Sequence, residues 1–332
     1  MKQQFLHENW EMRQIGNDEF LPAAVPGSVY GDLLSNGKME NPFWKDNEND
    51  ACELMEEDYE YVSHFDCEDG LLDSDRVVLR FDGIDTVGDV YLNEIHLGSP
   101  LSMHRVWEYD VKEILHEKDN ELKVILHSPN KWIREAFKKC RTLGNDDTFE
   151  GFVHLRKAHY MFGWDWGPKL PDAGLFRGVE LCCFDTARLG ESLIRQEHMD
   201  GAVTLHIGSE IEKADGQVVK AGNTAMQSNG NSAAQPESGG SAQPGVSGLQ
   251  LFYELRDPSS ALIYTGTDSD INVTNPALWW ANGYGKQPLY TLTIQLKAGE
   301  TVLDTREYRI GLRTVTVSRE DDQWGQEFAI MV

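Results

Sequence analysis

The sequence has no apolar stretch of the roughly 20 residues that a membrane-spanning helix needs, and its N-terminus lacks the apolar region of a signal peptide. Basic residues are also scarce: 30 lysines and arginines stand against 55 aspartates and glutamates, for a net charge of −25. This charge repels a nucleic acid unless a basic run overrides it, and no such run is present. We therefore expect neither a membrane nor a nucleic-acid partner.

Cysteine is rare as well. The five cysteines are odd in number, and no spacing among them is typical of a zinc site. Free thiols in a reducing cytoplasm are the simplest interpretation, so we expect a cytoplasmic protein. His154 and His159 are five residues apart, a poor helical spacing for metal ligands. We expect no metal and no cofactor.

Helical periodicity is confined to two segments, Ser28–Leu34 and Lys131–Lys139. Strand patterns dominate instead, and they favour an all-β fold built from β-sandwiches. Asp89–Leu92 and Ile95–Gly98 flank two residues, as in a hairpin. Glu121–Leu126 alternates as a half-buried strand does, and we interpret Gly178–Phe184 in the same way. A further strand is predicted at Arg76–Phe81.

The pattern changes near residue 188, where the strands of a second, smaller sandwich of immunoglobulin-like type begin. Its predicted strands are Gly201–Ile207, Leu249–Leu255, Tyr290–Leu296 and Glu307–Gly311. The predicted domains are therefore residues 1–188 and 189–316, followed by residues 317–332. These last residues end in a strand-like run, Glu327–Val332, without a polar tail, which we interpret as a cut inside a longer polypeptide.

An insertion is predicted near residues 214–248. Its most biased part, Ala221–Gly248, is rich in Gly, Ser, Asn, Gln and Ala and contains one charged residue, Glu237. Such a segment cannot bury enough apolar area to offset its ordering entropy, so we predict a disordered loop. A linker between domains is the alternative.

The densest chemical signal lies in His154–Pro171, where Trp164 and Trp166 flank Asp165 and glycines and prolines surround them. Glycine and proline favour a loop with a fixed path over a strand. Indole rings stack on the C–H faces of sugars, and a carboxylate accepts hydrogen bonds from hydroxyl groups. The triplet is thus a candidate sugar contact, while burial of both indoles in a core is the alternative.

Other charged residues are weaker candidates. Arg156 and Lys157 could attract a substrate, but basic residues beside a strand are usually solvated, and we expect that here. Asp82 and Asp85 could form a carboxylate pair, yet their setting indicates a structural turn between strands.

Several motifs, in this order, resemble the β-mannosidases of glycoside hydrolase family 2. They are Pro22–Leu34, Asn41–Trp44, Phe81–Asn93, Phe162–Pro168 and Leu278–Tyr290. The last is shared with other members of the clan, whereas Gly-Trp-Asp-Trp-Gly-Pro at 163–168 is more particular to the mannosidase branch. The resemblance extends from about residue 20 to the end, apart from the insertion.

The resemblance implies a jelly-roll, galactose-binding-like β-sandwich, then an immunoglobulin-like sandwich, then a (β/α)8 barrel. Residues 317–332 would be the lead-in strand to that barrel, which is missing from the sequence and would be a partner of these domains. Two barrel glutamates would act as acid/base and nucleophile in a retaining mechanism. No catalytic residue therefore lies in these 332 residues.

The implied activity is exo-hydrolysis of terminal β-D-mannose from oligosaccharides, with a β-mannoside oligosaccharide as the other partner. Trp164, Asp165 and Trp166 would bind substrate at one wall of the mannose subsite. Two alternatives remain: a free-standing module that binds carbohydrate or a partner, and the same region of a β-galactosidase- or β-glucuronidase-type relative.

Overall fold

A computed structural model describes residues 1–145, 147–165, 167–222, 248–326 and 329–331. The chain divides into two compact units, Lys2–Cys183 and Phe184–Val332, the latter together with Met1. Each is built mainly from antiparallel strands, which confirms the all-β prediction. The expected boundary at residue 188 falls inside a strand, Ala187–Met199. Among the described helices, none has the length and apolar character needed to cross a bilayer.

The first unit is a sandwich of a six-stranded sheet, in the order β3-β2-β4-β9-β6-β7, and a four-stranded sheet, in the order β1-β12-β5-β8; a two-stranded hairpin, β10-β11, lies outside both. The strands are β1 (Lys2–Phe5), β2 (Trp10–Gln14), β3 (Leu21–Pro22), β4 (Tyr59–Phe65), β5 (Arg76–Phe81), β6 (Gly88–Leu92), β7 (Ile95–Gly98), β8 (Trp107–Asp110), β9 (Asn120–Leu126), β10 (Phe162–Trp164), β11 (Gly167–Lys169) and β12 (Val179–Phe184).

Alternating burial fixes the six-stranded sheet. In β9, Leu122, Val124 and Leu126 are buried while the residues between them are partly exposed, as predicted. The predicted hairpin of β6 and β7 is also confirmed: Leu92 pairs with Ile95, and both turn residues, Asn93 and Glu94, have positive φ. Two positive φ values define the turn whose twist matches a two-residue hairpin.

β12 differs from its prediction. The alternation between Gly178 and Phe184 suggested a half-buried strand, but all six residues of β12 are buried. The strand lies between β1 and β5, inside its sheet, and both of its faces are covered. Cys182 and Cys183 are buried on these opposite faces.

Among the described residues of the first unit, three α-helices are present: α1 (Val29–Ser35), α2 (Asn47–Leu54) and α3 (Pro129–Lys139). The first and last confirm the predicted helical segments, and each begins at a serine cap. Ser28 accepts a hydrogen bond from the Gly31 amide, and Ser128 accepts one from the Lys131 amide. No sequence pattern indicated α2, in which only Ala51 is buried.

The second unit is also a sandwich. One sheet has the order β13-β14-β15 with β18 on β14, and the other has the order β17-β16-β19-β20. Two short pairs follow, β21 with β24 and β22 with β23. The strands are β13 (Ala187–Met199), β14 (Ala202–Lys213), β15 (Val218–Gly222), β16 (Leu249–Arg256), β17 (Leu262–Gly266), β18 (Asp270–Thr274), β19 (Tyr290–Ala298), β20 (Thr301–Ile310), β21 (Thr316–Ser318), β22 (Asp321–Asp322), β23 (Gly325–Gln326) and β24 (Ala329–Met331).

The segment assigned to the insertion is only partly described. Its first residues, 214–222, form a turn and then β15, which pairs with β14. Residues 223–247, for which a disordered loop was predicted, lie outside the described residues.

Candidate functional site

The Trp-Asp-Trp triplet lies on the hairpin β10-β11. Phe162 pairs with Lys169 and Trp164 with Gly167, and Asp165 lies in the turn between the two strands. The prediction of a loop without strands is therefore wrong, because the chain reverses tightly enough for a short ladder to form. Trp166 lies outside the described residues, and its predicted role is not tested.

Gly163 makes the tight pairing possible. Its φ is +85°, and a Cβ at this position would lie 2.5 Å from Cγ of Lys169 on the opposite strand. A side chain at 163 would both strain the backbone and collide with the partner strand. The glycine thus fixes the hairpin that carries Trp164 and Asp165.

The two described residues of the triplet are both accessible. Trp164 is 37% exposed, and Asp165, at the turn, is also exposed. The alternative in which the indole of Trp164 is a core side chain is therefore excluded. An accessible indole and an accessible carboxylate on one hairpin can contact the apolar and the hydroxyl-bearing parts of a sugar.

A cluster of aromatic rings supports the hairpin from below. Phe162 is fully buried, and its ring centroid lies 6.1 Å from that of Phe149 and 5.9 Å from that of Phe152. Val87, Ile133 of α3 and Leu155 complete this cluster. Phe162, two positions before Trp164, is therefore anchored in a small hydrophobic cluster that is separate from the main core of the unit.

Helix α2 holds the other strand of the hairpin. The Glu48 carboxylate accepts a hydrogen bond from the Lys169 amide at 3.1 Å, and the Cys52 thiol donates to the Lys169 carbonyl at 3.0 Å. Burial raises the pKa of Cys52 to about 11, so the thiol keeps the proton that it donates. Both backbone groups of Lys169 are thus fixed by a helix that sequence reasoning missed.

Lys157 is buried, contrary to the expectation that it is solvated. Its side chain is 0% exposed, and its ammonium forms an ion pair with Asp85, whose side chain is 5% exposed. It also donates to the Asp172 backbone carbonyl at 2.5 Å. Burial lowers the pKa of Lys157, although Asp85 opposes this effect, and burial raises the pKa of Asp172. The partner of Lys157 is 72 residues away in sequence, so no local pattern could reveal the pair.

Three of the remaining candidates have structural partners. His154 Nε2 lies 2.8 Å from the Cys140 carbonyl, and the His159 ring packs edge-on against Phe152 with centroids 4.9 Å apart. Asp82 accepts a hydrogen bond from Arg80 Nε at 2.8 Å. Within the described part of the chain, no group of three or more His, Cys, Asp or Glu residues is placed to hold a metal ion.

The two sandwiches match two family descriptions. Residues 10–177 match the glycosyl hydrolase 2 galactose-binding domain-like family, and residues 194–313 match glycosyl hydrolases family 2. The chain therefore belongs to glycoside hydrolase family 2, with a galactose-binding-like sandwich followed by an immunoglobulin-like one. This result confirms the family and the fold expected from the sequence motifs.

Within the family, the chain is similar to β-mannosidases. It is 27% identical to β-mannosidase B of Aspergillus niger over 95% of this chain and 35% of that protein. It is 28% identical to β-mannosidase B of Emericella nidulans over 98% of this chain and 37% of that protein. The chain thus spans about a third of the length of these relatives.

A solved structure agrees with these relatives. The crystal structure of a β-D-mannosidase from Dictyoglomus thermophilum superposes with a TM-score of 0.83 and 28% identity, covering 99% of this chain and 38% of that one. The chain corresponds to the non-catalytic N-terminal region of a β-mannosidase-like protein of family 2.

Proposed function

We propose that the chain is the N-terminal part of an exo-acting, retaining β-mannosidase that removes terminal β-D-mannose from oligosaccharides. The observation that supports this most is an accessible indole and carboxylate, Trp164 and Asp165, on a hairpin held by Phe162. The similarity to β-mannosidases over nearly the whole chain supports the same substrate. The chemical step belongs to a barrel outside these residues.

In this proposal the hairpin supplies one wall of the mannose subsite. Asp165 accepts hydrogen bonds from sugar hydroxyls, and Trp164 or Trp166 stacks on the ring. Mannose differs from glucose by its axial 2-hydroxyl, so directed hydrogen bonds must distinguish the two sugars. A site built from such bonds rejects the wrong epimer because its polar groups are left unpaired.

The substrate is tested with the longer gene product that includes a barrel. We expect hydrolysis of an aryl β-mannoside, measured beside the matching β-galactoside and β-glucuronide. Preferential cleavage of either of the other glycosides would assign the chain to that kind of relative instead. A gene that encodes no barrel would favour the free-standing binding module.

The role of the hairpin is tested with Asp165→Ala in the same protein. We expect kcat/KM for the β-mannoside to fall by about 10²-fold or more, because contacts that stabilise the transition state are lost. The matched control is Asp69→Ala, which removes an exposed carboxylate from a loop between β4 and β5 and should leave turnover unchanged. Normal turnover by Asp165→Ala would remove Asp165 from the site.

Trp164→Ala tests the stacking surface separately. We expect KM for the mannoside to rise, because a ring face that contacts the sugar is lost. Trp132→Ala is the control, since Trp132 on α3 is 39% exposed against 37% for Trp164. Equal kinetics for the two variants would argue against stacking on Trp164.

A further inference from the structure

The segment that carries the triplet begins and ends at one buried ammonium. We call residues 158–171 the arm. Lys157 directly precedes it and Asp172 directly follows it. Lys157 Nζ donates to the Asp172 carbonyl at 2.5 Å and pairs with the Asp85 carboxylate, so one side chain joins both ends of the arm.

Each end is also fixed to the sandwich. On the side of entry, the Met103 amide donates to the Arg156 carbonyl at 3.1 Å. On the side of exit, the Asp172 carboxylate accepts a hydrogen bond from the Tyr30 amide at 3.0 Å. Asp85, the partner of the ammonium, exchanges two backbone hydrogen bonds with Gly174, at 2.8 and 2.9 Å. The base of the arm is therefore a buried network of hydrogen bonds and one ion pair inside the first unit.

We propose that Lys157 is a positioning residue for the sugar-binding hairpin: by closing the base of the arm, it sets where Trp164 and Asp165 stand. The inference rests on the proposed function for its consequence, and on the described contacts for its geometry. Lys157 touches no sugar in this scheme and acts through the arm.

General energetics support a positioning role over one in stability alone. A buried ion pair is a poor source of stability, because the cost of removing two charges from water offsets most of their attraction, and an apolar pair of similar volume often serves as well. An apolar side chain at 157 could not donate to the Asp172 carbonyl. What the ammonium adds is a directed contact between the two ends of the arm.

The test uses the 332-residue chain and amide hydrogen exchange. Lys157→Met alone leaves Asp85 charged and buried and can unfold the unit, so the informative variant is Lys157→Met with Asp85→Asn. We expect amides of the arm, such as that of Leu170, which donates to Met161 at 2.8 Å, to exchange about 10-fold faster or more through local opening. Amides of β9 should keep their rates.

Two outcomes would overturn the proposal. Unchanged exchange in the arm would show that the ammonium does not hold it. Equal acceleration in the arm and in β9 would show that the pair serves the stability of the whole unit. The matched control is Lys131→Met, which removes an exposed lysine and should change neither region.

A kinetic measurement then separates this inference from the proposed function. In the longer protein, the same double variant should raise KM for the β-mannoside about 10-fold with a smaller change in kcat, since the barrel chemistry is untouched. If that protein cleaves another glycoside instead, the exchange result still decides whether Lys157 holds the arm. An unchanged KM together with a loosened arm would contradict the positioning role.

Discussion

Strand β9 and the arm belong to the same unit but are held in different ways. β9 is paired along its length with β4 and β6, and every second side chain enters a shared core. The arm has two strands of three residues each, a few aromatic rings beneath Phe162, and one buried ammonium at its base. Many equivalent contacts fix the sheet, whereas a few specific ones fix the arm. We therefore expect the sheet to contribute most of the stability of the unit, and the contacts of the arm mainly to fix its path.

The largest effect should come from removing the ammonium alone. Lys157→Met leaves the Asp85 carboxylate buried and unpaired, and we expect the free energy of unfolding to fall by about 4 kcal/mol. Chemical denaturation of the chain measures this. Lys131→Met, which breaks an exposed ion pair with Glu57 at 3.4 Å, should cost less than about 1 kcal/mol. Similar losses for the two variants would contradict the burial of Lys157.

The next largest effect should come from the sheet. Leu122→Ala in β9 opens a cavity in the shared core, and we expect a loss of about 3 kcal/mol in the same measurement. Leu143, which is 97% exposed, provides the control, and Leu143→Ala should change stability by less than about 0.5 kcal/mol. In contrast to the arm variants, Leu122→Ala should accelerate amide exchange across the whole unit.

A smaller, pH-dependent effect on stability is expected at His127, between β9 and α3. His127 directly follows β9, and its Nδ1 lies 3.0 Å from Asp58 and its Nε2 2.8 Å from Asp89. Burial lowers the pKa of His127, but the hydrogen bonds with the two carboxylates outweigh it and raise that pKa above its usual value. The protonated ring donates to both carboxylates.

The sign follows from linkage. A group whose pKa is raised by folding contributes stability that is fully present below its unfolded pKa, about 6.5 for histidine, and lost as pH rises through the folded value. The decline in the free energy of unfolding should amount to less than about 1 kcal/mol, because the side chain of His127 is 36% exposed. In His127→Gln this decline should be absent. His64→Gln, at a side chain 67% exposed, should leave the decline in place. A decline that persists in His127→Gln would contradict the assignment.

The smallest effect on stability should come from the tip of the arm. Asp165→Ala alters an exposed turn residue, and we expect the free energy of unfolding to change by less than about 0.5 kcal/mol. Together with the expected loss of mannoside turnover, this result would show that Asp165 contributes to turnover without contributing to the free energy of unfolding. A loss above about 1 kcal/mol would show that Asp165 supports the fold instead.

The sequence predicts strands such as β9 better than it predicts the supports of the arm, because local patterns encode the strands and contacts between distant residues form the supports. Alternation in β9 and the two-residue turn before Ile95 are local patterns, and the structure confirms both. The prediction of a half-buried β12 fails, because burial of both faces depends on what packs against the sheet, which a local alternation does not reveal. Helix α2 has only one buried residue, Ala51, so its sequence carries no apolar period to detect.

The candidate site could be predicted in part. The triplet at 164–166 is identified from its chemistry and from a family resemblance. The structure places Trp164 at the end of β10 and Asp165 in the turn that follows, and both are exposed. The supports of that turn were not predicted. Lys157 finds its partner in Asp85, far away in sequence, and Lys169 is held by Cys52 and its helix. Such long-range contacts leave no trace in local spacing.

The shared anchor at Lys157 has a consequence for how this fold can change. Because entry and exit of the arm meet at one point, the residues between them can be replaced by a longer or shorter segment while every strand of the sandwich keeps its register. A graft of this kind would exchange the ligand-facing surface and leave the scaffold intact. If the proposed function holds, the preference for one sugar over another would be carried by a part of the domain that can be exchanged.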